Sequence, residues 1–175
     1  DAPDMQVLER DRELVINLFP SDFVVDNNGI LNSMNTENYF EYDQKSGGYF
    51  AFEGYKVYQL ADQNVTEAQL SDPNRARLIS QSDMINGVST ITDKVFQFNG
   101  IGCGPAPEIK LQGSDSGLNK SIIFRNDLFD SGNRIINNKD YHFMVVAYGY
   151  NAKADSLNSI PVNSTYYKAY IQSRR

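Results

Sequence analysis

Few side chains in this sequence offer covalent chemistry. It holds one histidine, His142, and one cysteine, Cys103. A general base needs a partner positioned in a cleft. His142 stands between Tyr141 and Phe143 in an alternating run, so the pleat turns it away from the face of Tyr141, toward solvent or a loop. It reads as a structural histidine. A serine hydrolase needs a G-x-S-x-G elbow, and the sequence contains none. Cys103 lies in GIGCGPAP, flanked by glycine and without a local histidine. That setting reads as a small buried or loop residue, not an activated thiol. Asp62, Asp72, Asp83 and Asp93 are spread too widely along the chain to form a local acid pair. No residue is assigned a catalytic role, and the chain reads as non-enzymatic.

Metal and cofactor chemistry fare no better. Zinc wants cysteine and histidine ligands, which are nearly absent. Calcium wants clustered oxygens, and SDSG at Ser114–Gly117 and RNDLFDSGN at Arg125–Asn133 supply some. Neither fits a calcium loop, and ordinary turn chemistry accounts for both. The glycines of Gly100–Gly104 lack the Lys-Ser/Thr of a phosphate loop. We expect no metal ligand and no cofactor.

Aromatic rings are the exception. Tyr39, Phe40, Tyr42, Tyr49 and Phe50, with Phe52 next to them, crowd one short stretch. Flat exposed rings can stack on a ligand, sugar rings included. The alternative is that they cover a sheet edge, each burying roughly 150–250 Å². Tyr39, Phe40, Tyr42, Tyr49 and Phe50 are the candidate ligand contacts. Three sequons, at Asn64, Asn119 and Asn163, are the further surface marks.

The elements that must position these rings are strands. MQVLER and ELVINLF alternate at period two, with Leu14, Ile16 and Leu18 on one face. FEGYKVYQL puts Tyr55 and Val57 opposite Lys56 and Tyr58. ARLISQ, GVSTITDKVFQFN, EIKLQ, KSIIFRN, DYHFMVVAYGY and STYYKAYIQ read likewise, with GSDSGLN as a turn between EIKLQ and KSIIFRN. GVSTITDKVFQFN reads as one strand or as two broken around Asp93-Lys94. GIGCGPAPE and NAKADSLNSIP read as loops. NVTEAQLSDPNRA allows a short helical turn stopped by Pro73. No longer window has helical periodicity. The chain has 175 residues, enough for one well-buried core. We expect an all-β antiparallel sandwich forming a single domain over 1–175. Tyr55 and Val57 should meet Tyr141, Phe143 and Val145 across its core.

Composition narrows the partners. The net charge of −6 disfavours nucleic acid, whose phosphates want a basic face. No apolar run approaches the ~18 residues of a membrane span. The chain opens DAPDMQVL without an initiating methionine, which reads as a processed product or a piece of something longer.

The residues also carry a resemblance. Ile135, Asn137, Asn138 and Tyr141, followed by Phe143, Val145 and Ala147, are similar to the sixth strand of fibronectin type III domains, where the tyrosine hydroxyl bonds backbone upstream. FEGYKVYQL resembles their third strand and APDMQVLERDRELVINLF their first two. Leu18 stands where many members carry a core tryptophan. FEGYKVYQL, RARLISQSDMINGVSTI, NKDYHFMVVAYGYN and YKAYIQSRR together resemble a subset of these domains from large secreted surface proteins of the Bacteroidota, cargo of the type IX route. The resemblance implies a fibronectin type III or immunoglobulin-like sandwich, an extracellular or cell-surface location, and a role as spacer or protein-interaction module beside neighbouring domains. A carbohydrate-binding accessory domain of a secreted hydrolase is the other reading. An ordinary domain of this kind has about 100 residues. The surplus is expected as loop insertions at about 20–51 and 91–118, with contacts made by Ser21–Ala51 and Thr92–Asn119.

Overall fold

The computed structural model describes residues 2–20, 24–25, 31–32, 36–98, 103–159 and 166–173. The protein is all-β, and among the described residues every strand pairing is antiparallel. The smaller sheet is β1 (Asp4–Arg10), β2 (Glu13–Phe19) and β10 (Ser121–Phe124), in that order. The larger runs β12 (Tyr170–Gln172), β11 (His142–Tyr150), β6 (Gly48–Leu60), β5 (Phe40–Asp43). β7 (Ala76–Asp83) shares the β5 side of the long β6. Two further pairs stand apart: β3 (Val24–Val25) with β4 (Leu31–Asn32), and a ribbon of β8 (Thr90–Phe98) with β9 (Cys103–Gln112).

One core joins the two larger sheets. Ile16, Leu18, Ile122 and Phe124 from the small sheet meet Phe52, Tyr55, Val57, Val145 and Ala147 from the large one, with Ile135 closing one end. Tyr141 and Phe143 pack against this core edge-on to Phe124, with ring centroids at 5.9 and 5.1 Å. Each fully buried aliphatic contributes about 1.5–3 kcal/mol. The expected company of Tyr55, Val57 and Val145 is found, but not across the core. β6 and β11 are hydrogen-bonded neighbours, with Val57 opposite Val145 and Tyr55 opposite Ala147 in register. Their inward side chains lie side by side and face β2 and β10.

A bulge in β6 makes its long core face possible. Tyr148 pairs with Gly54 and Gly149 with Phe52, leaving Glu53 as the extra residue. Parity therefore shifts at Glu53. Phe50 and Phe52 on one side of it and Tyr55 and Val57 on the other all turn inward.

The outer face of the large sheet is covered in two places. The connection after β6 lays Val65 and Leu70 over Leu60 and Val146. The ribbon and the helix α1 (Ala152–Asn158) lay Ile91, Leu111 and Ala154 over Tyr148. The segment expected as a loop insertion at 91–118 is thus mostly this ribbon. β8 runs unbroken through Asp93-Lys94, and the bulge falls at Lys110 instead. GIGCGPAPE yields strand from Cys103 because β9 has a partner on one side only. Prolines are tolerated on such an edge, where a missing N–H breaks no ladder bond. The side chain of Cys103 and residues Gly100–Gly102 lie outside the described residues. NAKADSLNSIP holds α1 instead of a plain loop, because Asn151 caps it by accepting the Ala154 N–H. The insertion at 20–51 contains β5 and the start of β6. Among the described residues of STYYKAYIQ, strand spans Tyr170–Gln172.

Candidate functional site

β5 and β6 form a hairpin in which Tyr42 faces Tyr49 and Phe40 faces Ala51. Alternation sends Phe40, Tyr42 and Tyr49 to the outer face, past the area that the ribbon covers. They are 64%, 55% and 48% exposed. The rings of Phe40 and Tyr49 stack, with centroids 4.4 Å apart and planes 15° from parallel. Tyr42 leans on Tyr49 at 5.1 Å and 58°. The result is a three-ring surface open to solvent. The other two predicted contacts turn away from it. Phe50 is buried on the inner side, and Tyr39 packs against the core. The Tyr39 hydroxyl donates to Glu41, and its pKa is raised by burial first and by Glu41 second. The aromatic stretch therefore divides between an open face and the core.

The hairpin under these rings is braced. Asp43 Oδ1 accepts the Lys45 N–H at 3.0 Å, and Oδ2 accepts the Ser46 hydroxyl at 2.6 Å. Burial pushes the Asp43 carboxyl up, but the bonds from Ser46 and Lys45 outweigh it and hold it below its usual value. The buried Asn151 donates to both Asp43 Oδ2 (3.2 Å) and Ser46 Oγ (3.0 Å), tying the turn to the cap of α1. Lys153 donates to the Gly47 carbonyl at 3.1 Å. Gly48 makes this contact possible, since a Cβ there would lie 2.5 Å from Asn151 Oδ1. A surface fixed in this way loses little entropy on binding.

The acids singled out for calcium are occupied otherwise. Asp127 in RNDLFDSGN accepts from Gln59 Nε2 (2.7 Å), Phe129 N–H (3.0 Å) and Lys139 Nζ (2.6 Å). Burial raises its pKa, yet those donors prevail and the net shift is downward. Asp115 in SDSG accepts the N–H groups of Asn86 and Gly87. Among the described residues no group of three His, Cys, Asp or Glu side chains could hold a metal ion. Asp62 pairs with Arg75, Asp72 accepts the Asn74 N–H, and Asp93 accepts the N–H groups of Ala169 and Tyr170. His142 opens β11 opposite Leu60 and lines a cleft of about 890 Å³ between Arg10-Asp11 and Asn137–Asp140. Asn64 and Asn119 are exposed, and Asn163 lies outside the described residues.

Two groups escaped the sequence reading. Lys56 donates to Tyr170 Oη at 3.2 Å and lies 5.4 and 5.1 Å from the ring centres of Tyr148 and Tyr170. Burial lowers its pKa to about 8. Glu53 is buried at the β6 bulge, and burial first, then Asp83 and Asp115, raise its pKa to about 7 against the opposing bond from Asn86. The Tyr-Lys-Tyr alternation of β6 hinted at the first. Nothing local marked the second, because its neighbours come from three other parts of the chain.

No family model, no curated protein and no solved structure matches this chain.

Proposed function

We propose that this chain is a non-enzymatic interaction module of fibronectin type III kind from a large secreted or surface-attached bacterial protein. The observation that carries the reading is the braced, solvent-facing ring surface of Phe40, Tyr42 and Tyr49. Exposed apolar groups gathered into one patch favour a binding role, and aromatic rings supply contact area at low entropy cost. The same segment-wise reading extends to the ribbon, where Phe96, Phe98 and Ile109 are exposed. Both surfaces belong to the segments expected to make contacts, Ser21–Ala51 and Thr92–Asn119.

The family assignment rests on three features. The order β1-β2-β10 opposite β12-β11-β6-β7 suits the two sheets of a fibronectin type III domain. Tyr141 accepts a bond from backbone five residues upstream. Ile135 is buried in the core, and Leu18 fills the place of the family's tryptophan. Surface location, type IX export and origin in the Bacteroidota belong to the same proposal and rest on the sequence resemblance.

Flat stacked rings favour the second reading, a carbohydrate-binding accessory domain. The experiment that separates the two is a glycan array on wild type and Tyr49→Ala, alongside binding of the domains adjacent in the full-length chain. An interaction module binds those domains through the rings and leaves the array blank. Ring-dependent glycan signals support the second reading. Loss of neither kind of binding in Tyr49→Ala rejects the ring surface as the site.

A further inference from the structure

The ribbon is rooted by two connections, Met84–Ser89 from β7 and Gly113–Lys120 toward β10. Both close over the bulge residue Glu53. Its backbone carbonyl accepts the Met84 N–H at 2.8 Å, and its Oε2 accepts Asn86 Nδ2 at 2.9 Å. Asn86 and Gly87 N–H in turn reach Asp115 Oδ1 at 2.8 and 3.0 Å. Asp115 N–H reaches Asp83 Oδ2 at 3.0 Å, and Ser116 N–H reaches Asp83 Oδ1 at 3.3 Å. Gly113 lets the second connection press against this acid, since a Cβ there would lie 1.9 Å from Asp83 Oδ2. Three carboxyl groups thus knit the two roots together.

They are not equally satisfied. Asp83 is fully buried, but five donors, the Ser114 hydroxyl among them, surround it or its neighbour Asp115. Glu53 is 2% exposed, and its Oε1 has no hydrogen-bond partner. Burying an ionised carboxylate with one oxygen bare costs far more than burying the neutral carboxyl. The charges acting on Glu53 are Asp83 at the end of β7 and Asp115 in the β9–β10 connection, both negative. From β11, Tyr148 and Tyr150 sense its charge in turn.

We propose that Glu53 is a proton-operated latch for the β8–β9 ribbon. With its proton, Glu53 lets both roots close over it. Without the proton, its charge stands against Asp83 and Asp115 with one oxygen bare, and the roots open to admit water. Asn86 transmits the change, being bonded to Glu53 by its side chain and to Asp115 by its backbone. The expected midpoint is that of the raised Glu53 carboxyl, about 7.

The test follows amide hydrogen exchange in residues 84–89 and 113–118 from pH 5.5 to 8.5, corrected for intrinsic chemistry, with the Glu53 carboxyl carbon titrated by NMR. In wild type, protection at both roots should fall about tenfold or more across this range. Glu53→Gln, which keeps a donor at all pH values, should hold protection constant. Asp115→Asn keeps the oxygen that Asn86 and Gly87 use and removes one charge, so the midpoint should move down. Asn86→Ala removes the bond that favours the ionised form, so it should move up. These last two variants decide the matter if Glu53→Gln does not fold. An ordinary glutamate midpoint, or a midpoint that neither variant shifts, overturns the proposal. Equal loss of protection in Glu53→Gln overturns it as well.

Discussion

The hydroxyl of Tyr141 accepts the backbone N–H of Ile136 at 2.9 Å. This bond closes the turn Ile135–Asp140 against the start of β11. Ile135 is buried in the core on one side of the turn, and Tyr141 packs on Phe124 on the other. Asn138 takes a φ of +64° between them, a conformation asparagine tolerates better than most residues.

Tyr141→Phe should therefore cost about 0.5–1.5 kcal/mol, the net value of one hydrogen bond, since the ring contacts survive. Tyr141→Ala should cost more, about 2–4 kcal/mol, because a partly buried ring is lost from the core. Urea unfolding of the two variants measures both. A loss below about 1 kcal/mol for Tyr141→Ala would show that the ring does not support the core.

Gln59 and Asp127 form a second clasp. Gln59 donates to Asp127 Oδ1 and accepts the Leu128 N–H at 2.7 Å, fastening Asp127–Leu128 to the end of β6. Gln59→Ala should cost about 1–3 kcal/mol, since it removes one of the donors to Asp127 Oδ1, which keeps the Phe129 N–H, and strands the Leu128 N–H. Asp127 adds an acid dependence. Its carboxyl lies below its ordinary value in the folded state. Its stabilising share is therefore present above the unfolded carboxylate pKa and disappears as pH falls through the lower folded one. Thermal melts from pH 6 to 2.5 should show a steeper decline in wild type than in Asp127→Asn.

How much of this was legible depends on the range of each cause. Period-two alternation marks β1, β2, β6 and β11, because an inward face is a local pattern. Alternation misleads where a bulge intervenes. Phe52 and Tyr55 have opposite parity yet share the core face, because Glu53 adds one residue between them. Phe50 joins the ligand contacts for another reason: the rings are grouped by nearness in the sequence, and nearness does not tell one face from the other. The prolines of β9 hide a strand, as their effect depends on having a partner on one side only. The acidic cluster at Glu53 joins residues as far apart as Glu53, Asp83 and Asp115, and no local window brings these together.

The hairpin brace gives a steric prediction. Gly48→Ala places a methyl 2.5 Å from Asn151 Oδ1 and 2.7 Å from Lys153 Cβ. Asn151 is fully buried, and its oxygen caps α1, so it cannot retreat without losing the cap. Gly48→Ala should destabilise by about 1–3 kcal/mol, as overpacking commonly does. Asn151→Ala should cost about 1–2 kcal/mol through the cap alone. In the double variant the two losses should add to less than their sum, because the alanine at 151 makes room for the new methyl. Full additivity in chemical denaturation would mean that Gly48 and Asn151 do not touch.

The ring surface can be tested without knowing its ligand. Phe40 and Tyr49 lie on adjacent strands and stack in solvent. Such aromatic pairs contribute about 0.5–1.5 kcal/mol beyond the area they bury. A double-mutant cycle of Phe40→Ala, Tyr49→Ala and the pair should thus yield a coupling of that size in urea unfolding. Tyr42→Ala should change stability less than Tyr49→Ala, because Tyr42 touches one ring of the group and Tyr49 touches two. If the cycle gave no coupling, the stack would not persist in solution. The surface would then be three independent side chains, without the flat, preorganised face on which the binding role depends.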